Sequence, residues 1–141
     1  MGIVGSFCIA LFVCTTIIHY EVLRTLSLLL PSIRVPARTK LIVVISGEFL
    51  AHIIEILLYA LAVYALVRYM DLGTLEDIHR FSLSACIYFS AETYTSLGYG
   101  DIVPGGVLRL LAGVEALNGL LLIGWSASYT YITMERFWRN I

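Results

Sequence analysis

The stretch TYTSLGYGD, residues 93–101, sets Gly98 and Gly100 on either side of Tyr99, with hydroxyl side chains before them and a carboxylate, Asp101, after. Glycine takes left-handed backbone dihedrals without steric cost, so two glycines spaced by two suit a chain that alternates right- and left-handed residues. That alternation turns successive carbonyls to one side, and a row of carbonyl oxygens aimed at one axis can replace the water shell of a cation. Ser96 adds a hydroxyl oxygen at the inner end of the row. These residue types offer ion coordination by backbone oxygen rather than covalent chemistry.

A second group is ionisable. Glu48, His52 and Glu55 recur at i, i+4 and i+7 on one helical stripe, which Tyr59 continues, inside an apolar run. His19, with Glu21 beside it, reaches a comparable depth in another apolar run. Ionisable groups inside a membrane are costly and are usually paired or functional. Three readings stay open: a hydrogen-bonded network pinning two helices together, a proton-sensing site, or a divalent-metal site. In the metal reading, His19, Glu48, His52 and Glu55 hold zinc, iron or manganese. An enzyme within the membrane has only this stripe in its favour and no nucleophile beside it, so the chain reads as a non-enzyme.

The elements that must position these residues follow from composition. Of 141 residues, 60% are hydrophobic and 13% charged, too little polar surface to cover a soluble domain of this size. Three apolar runs, residues 2–23, 41–67 and 107–134, reach the roughly 20 residues needed to cross a bilayer. The first lacks the basic flank and small-residue cleavage site of a signal peptide and reads as a retained helix. Residues 25–30, TLSLLL, either extend it or lie along the interface. A net charge of −1 gives no support to a nucleic-acid partner. Cys8, Cys14 and Cys86 read as small buried hydrophobes.

Arg24, Arg34, Arg38 and Lys40 crowd the first connection, and Arg136 and Arg139 follow the last run. The positive-inside rule makes both cytoplasmic and sets the N-terminus outside. Asp71, Glu76 and Asp77 then mark an outer connection, and Thr74 followed by Asp77 suggests a helix start there. A helix over about 77–95 is too polar and interrupted for a fourth span. It must dip into the membrane and return on the same side, which non-helical backbone tolerates only inside protein or beside a water-filled path.

ETYTSLGYGDIVP resembles the pore signature of potassium channels, written TxxTVGYGD, over about residues 78–136. The carbonyl-lined filter is that family's own device. The resemblance implies an all-α membrane protein with three transmembrane helices, a re-entrant pore helix and a homotetrameric pore. Residues 1–40 form an added helix and loop, absent from minimal two-span channels. Residues 41–141 form the pore domain: outer helix 41–67, pore helix about 77–95, filter 96–101, inner helix about 107–136. Filter oxygens come from Ser96, Leu97, Gly98 and Tyr99, with Gly100 at the mouth and potassium ions bound between four chains. Ser96 stands where threonine is usual and Leu97 where valine is usual. Glu92 and Asp101 are expected to share a proton behind the filter, with Tyr88 in reach of Asp101.

Along the inner helix, Asn118, Leu121, Trp125, Ser128 and Ile132 keep helical spacing and are candidates to line a cavity. Gly119 is a candidate hinge or packing glycine, and Glu115 is expected to face the pore helix. Trp125 either narrows the path or packs at a subunit interface. No arginine ladder marks a voltage sensor in the first two runs. The expected protein is a multi-pass cell-membrane channel with three identical partner subunits and the lipid bilayer around it, passively conducting and potassium-selective. The alternative is a membrane metal-binding or sensing protein on the same scaffold, with a closed or non-selective pore.

Overall fold

Two prolines divide the N-terminal half of the chain. In the computed structural model, which describes residues 2–76 and 80–138, α1 runs Gly2–Leu29 and α2 runs Ala37–Met70. Proline lacks a backbone donor and cannot continue a helix interior, and Pro31 and Pro36 bracket the turn between the two. TLSLLL therefore extends α1 almost to its end. Asp71, in the left-handed region at φ 51°, closes α2, and the Leu72 N–H returns 3.0 Å to the Leu66 carbonyl.

After α2 the chain pairs with itself instead of starting a helix. Strand β1, Thr74–Glu76, lies antiparallel to β2, Val103–Gly105, with Leu75 opposite Pro104. Gly73 at φ 88° and Gly106 at φ 60° let the two segments meet closely. A Cβ on Gly73 would stand 2.8 Å from the Gly105 carbonyl oxygen. The helix start read at Thr74 is thus corrected, because a strand partner distant in sequence takes up that backbone. Asp77 and the helix start at residue 77 lie outside the described residues, as does Arg139. The helix expected over about 77–95 starts later: α3 spans Leu83–Tyr94, because Ser82 caps it, its hydroxyl accepting from the Ala85 N–H at 3.2 Å.

The last helix, α4, spans Leu108–Trp138. Helices α1, α2 and α4 are each long and apolar enough to cross a membrane. α3 packs between α2 and α4, and α1 packs along both. The core between them is built from Cys8 and Leu11 of α1, Tyr59 and Leu66 of α2, Cys86 and Phe89 of α3. Cys14, expected inside, is exposed on the outer face of α1. Ile9, Phe49, Leu117 and Leu120 are exposed as well, an apolar exterior suited to lipid or further protein rather than water. The chain is a membrane protein.

Candidate pore loop and the polar cluster beneath it

Where α3 ends, the backbone begins to alternate. Ser96, Gly98 and Gly100 have φ of 57°, 56° and 78°, and these are the only left-handed residues from 93 to 101. The glycine spacing predicts two of the three. Ser96 is the third, a side chain held in a conformation that serine rarely takes.

Glu92 holds the alternation in place. Its carbonyl accepts the N–H of Leu97 at 2.9 Å and of Gly98 at 3.3 Å, and its carboxylate accepts the N–H of Tyr99 at 3.1 Å. Three consecutive amides thus turn toward one residue. No peptide bond is cis. In a planar trans peptide the N–H points opposite to the preceding C=O. The carbonyls of Ser96, Leu97 and Gly98 must therefore point away from Glu92, in a row.

This corrects the expected carboxyl pair. Among the described residues no hydrogen bond joins Glu92 to Asp101; Asp101 instead accepts from the Tyr88 hydroxyl at 3.0 Å. That bond pushes the Tyr88 phenol up to about 12. Burial raises Glu92 above the usual carboxylate range, the Tyr99 N–H opposes it, and the nearby Asp101 charge adds to it. A preformed backbone donor explains the preference: the Tyr99 N–H needs an acceptor, and two carboxylates do not need each other. Glu92→Ala should leave the Tyr99 N–H unpaired, a cost of about 1–3 kcal/mol, whereas Glu92→Gln keeps an acceptor. The expected result is flux lost in the alanine variant and largely kept in the glutamine variant. Equal flux in both would remove Glu92 from the support of the loop.

On α4, Leu121, Trp125, Ser128 and Ile132 share the exposed side. Asn118 does not join them. It is buried, and its amide donates to Thr15 Oγ1 at 2.7 Å and to the Tyr59 hydroxyl at 3.1 Å. Helical spacing gave its approximate face, but α1 covers that edge and takes the side chain inward. Gly119 meets the last turn of α3, where an added Cβ would collide with the Tyr94 carbonyl oxygen. Glu115 is buried facing Ser90 of α3, as expected from its depth. Both its carboxylate oxygens lack a bond of good geometry.

Below the loop lies the ionisable cluster. Glu55, fully buried, takes His19 Nδ1 at 2.9 Å on one oxygen and His52 Nδ1 at 3.1 Å on the other. The Tyr94 hydroxyl donates to the same carboxylate and lies 2.9 Å from His52 Nδ1. Ser126 Oγ bridges the far side, 3.0 Å from His52 Nε2 and 3.2 Å from His19 Nε2. The ring of Trp125 lies 5.4 Å from that of His19. Trp125 thus packs against its own chain's cluster. Glu48 stands apart: it accepts from Thr130 Oγ1 at 2.7 Å. It is a turn or more from its expected partners, and α4 meets it there with a hydroxyl. Sequence reading missed Tyr94 and Ser126, whose only signal is a polar group on an otherwise apolar helix face.

The sequence profile of a family described as ion channel matches residues 51–136. The chain is 32% identical over 89 residues to the inward rectifier potassium channel Kirbac3.1 of Paramagnetospirillum magnetotacticum, covering 62% of this chain and 30% of that one. It is 30% identical over 79 residues to the human voltage-gated potassium channel regulatory subunit KCNG1, covering 55% of this chain and 15% of that one. The match thus spans under a third of either relative's length. No solved structure matches significantly. With a loop of this geometry set between membrane-spanning helices, and with the profile covering more than half its length, the chain belongs to the ion-channel family of potassium-channel pore type.

Proposed function

We propose that four copies of the chain surround a filter formed by residues 96–100 and conduct potassium passively. The observation that carries this reading is the set of three consecutive amides turned toward Glu92, which aims the carbonyls of Ser96, Leu97 and Gly98 the other way. One chain supplies one such row, and dehydrating a potassium ion needs oxygen from all sides, so a closed ring of four identical chains is the simplest assembly. Leu97 and Tyr99 are 57% and 68% exposed in the single chain, large apolar surfaces that neighbouring copies would cover. A mostly apolar hollow of about 350 Å³, lined by Phe89, Ile102, Val103 and Ala112, lies beside the loop and offers such a neighbour a seat. Gly100 completes the outer mouth, Tyr88 and Asp101 brace it, and Leu121, Trp125, Ser128 and Ile132 face the inner path. The basic first connection sets α1 to start outside and the C-terminal end of α4 to lie in the cytoplasm of a cell membrane.

Purified protein in liposomes should pass potassium and rubidium well above sodium, with barium blocking. Equal sodium and potassium flux would refute selectivity. The buried His19–His52–Glu55 cluster favours a second reading, a metal-binding or sensing protein on the channel scaffold. Metal binding without any potassium flux would select it.

A further inference from the structure

We propose that each subunit binds one divalent transition-metal ion between His19 Nδ1, His52 Nδ1 and a Glu55 carboxylate oxygen, with the Tyr94 hydroxyl as a fourth oxygen. The ligand atoms of His19, His52 and Glu55 all lie within 4.8 Å of one another, and two of the three residues are fully buried. Two imidazoles and a carboxylate are the donor set of zinc and of neighbouring divalent ions.

The hydrogen-bond inventory points the same way. Ser126 has one hydroxyl proton but faces an Nε2 from each histidine. If both neutral rings carry their proton on Nδ1, toward Glu55, that one hydroxyl serves only one of the two Nε2 lone pairs. If both carry it on Nε2, Ser126 Oγ accepts both with its two lone pairs. The two Nδ1 lone pairs then converge on the oxygens of Glu55. Mixed forms leave one Nδ1 contact with a lone pair on each side. Where the unprotonated Nδ1 is that of His52, the Tyr94 hydroxyl 2.9 Å away can donate to it, and an additional proton or a cation removes the remaining lone-pair contact with Glu55. The second arrangement is the one a metal uses: ligating nitrogens on one side, and the opposite N–H groups held by an outer acceptor that fixes each ring. Trp125 beside His19 shields the site.

The site joins all four helices through polar side chains. His19 comes from α1, His52 and Glu55 from α2, Tyr94 from the last turn of α3, and Ser126 behind them from α4. Tyr94 stands two residues before Ser96. The ion would lock α1, which lies outside the matched residues 51–136, to the base of the pore loop.

The test uses full-length protein purified without a histidine tag, equilibrated with zinc and separately with cobalt, then freed of unbound metal. About one ion per chain is expected, along with the strong visible absorption of four-coordinate cobalt. His52→Ala and Glu55→Gln should each lose the ion, and Glu48→Gln should keep it. Tyr94→Phe should keep the ion but change the cobalt spectrum, which covers the case in which a histidine variant does not fold. Folded protein that takes up no metal would overturn the proposal and leave an additional proton as the answer to the same inventory. Metal retained in folded His52→Ala would overturn it too. Neither readout depends on potassium flux, so a failed channel reading and a failed metal site are separable.

Discussion

Alanine at Gly98 should abolish potassium-selective flux while leaving the subunit folded. Gly98 has φ 56°, and an added Cβ would meet nothing within 4 Å in its own chain. The effect is therefore one of backbone preference and not of collision. A left-handed L-residue costs roughly 1–2 kcal/mol. In the proposed ring of four that becomes about 4–8 kcal/mol per pore, enough to lower the population of an aligned filter by about a thousandfold or more. The measurement is rubidium flux into liposomes, with helix content and assembly size of the same sample as controls. Undiminished, selective flux in Gly98→Ala would mean that the left-handed alternation is not what conducts.

The second large effect is expected at Gly119, and it should appear in stability. An alanine Cβ there would collide with the Tyr94 carbonyl oxygen and stand 2.8 Å from its carbonyl carbon. Backbone cannot swing aside as a side chain can. Either α4 moves off α3, or the last turn of α3 moves and takes Ser96 with it. Overpacking costs about 1–3 kcal/mol where side chains yield, and a backbone collision belongs at or above that upper figure. Gly119→Ala should therefore unfold at markedly lower denaturant in detergent. Gly124→Ala, whose Cβ would meet nothing within 4 Å of the same chain, is the control. A Gly119→Ala protein as stable as the parent would show that α3 and α4 do not pack as tightly as this.

Much of this was legible in the sequence where the cause is local. Spans show as uninterrupted apolar length, and Gly98 and Gly100 show left-handed backbone because glycine alone takes it freely. What failed to show depends on contacts between distant segments. Thr74 looked like a cap because its neighbours suit one; its real partner, Gly105, lies in another part of the chain. The family resemblance pairs Glu92 with Asp101, yet the loop offers it a backbone amide first. Asn118 was assigned by periodicity, which fixes a helix face but not which helix covers it. The His/Glu stripe was visible as a stripe, while Tyr94, which completes it and displaces Glu48, comes from a helix that sequence spacing cannot orient.

The short pairing of β1 with β2 has a mechanical consequence. It ties the C-terminal end of α2 to the start of α4 by backbone hydrogen bonds, and α3 and the loop after it lie between the two strands in the chain. Tension applied between those two helices is carried across the strand pair and bypasses α3 and its loop. The loop that must keep its carbonyls aligned is thus relieved of load from the helices on either side of it. What can still pull on it is α3, held from below at Tyr94.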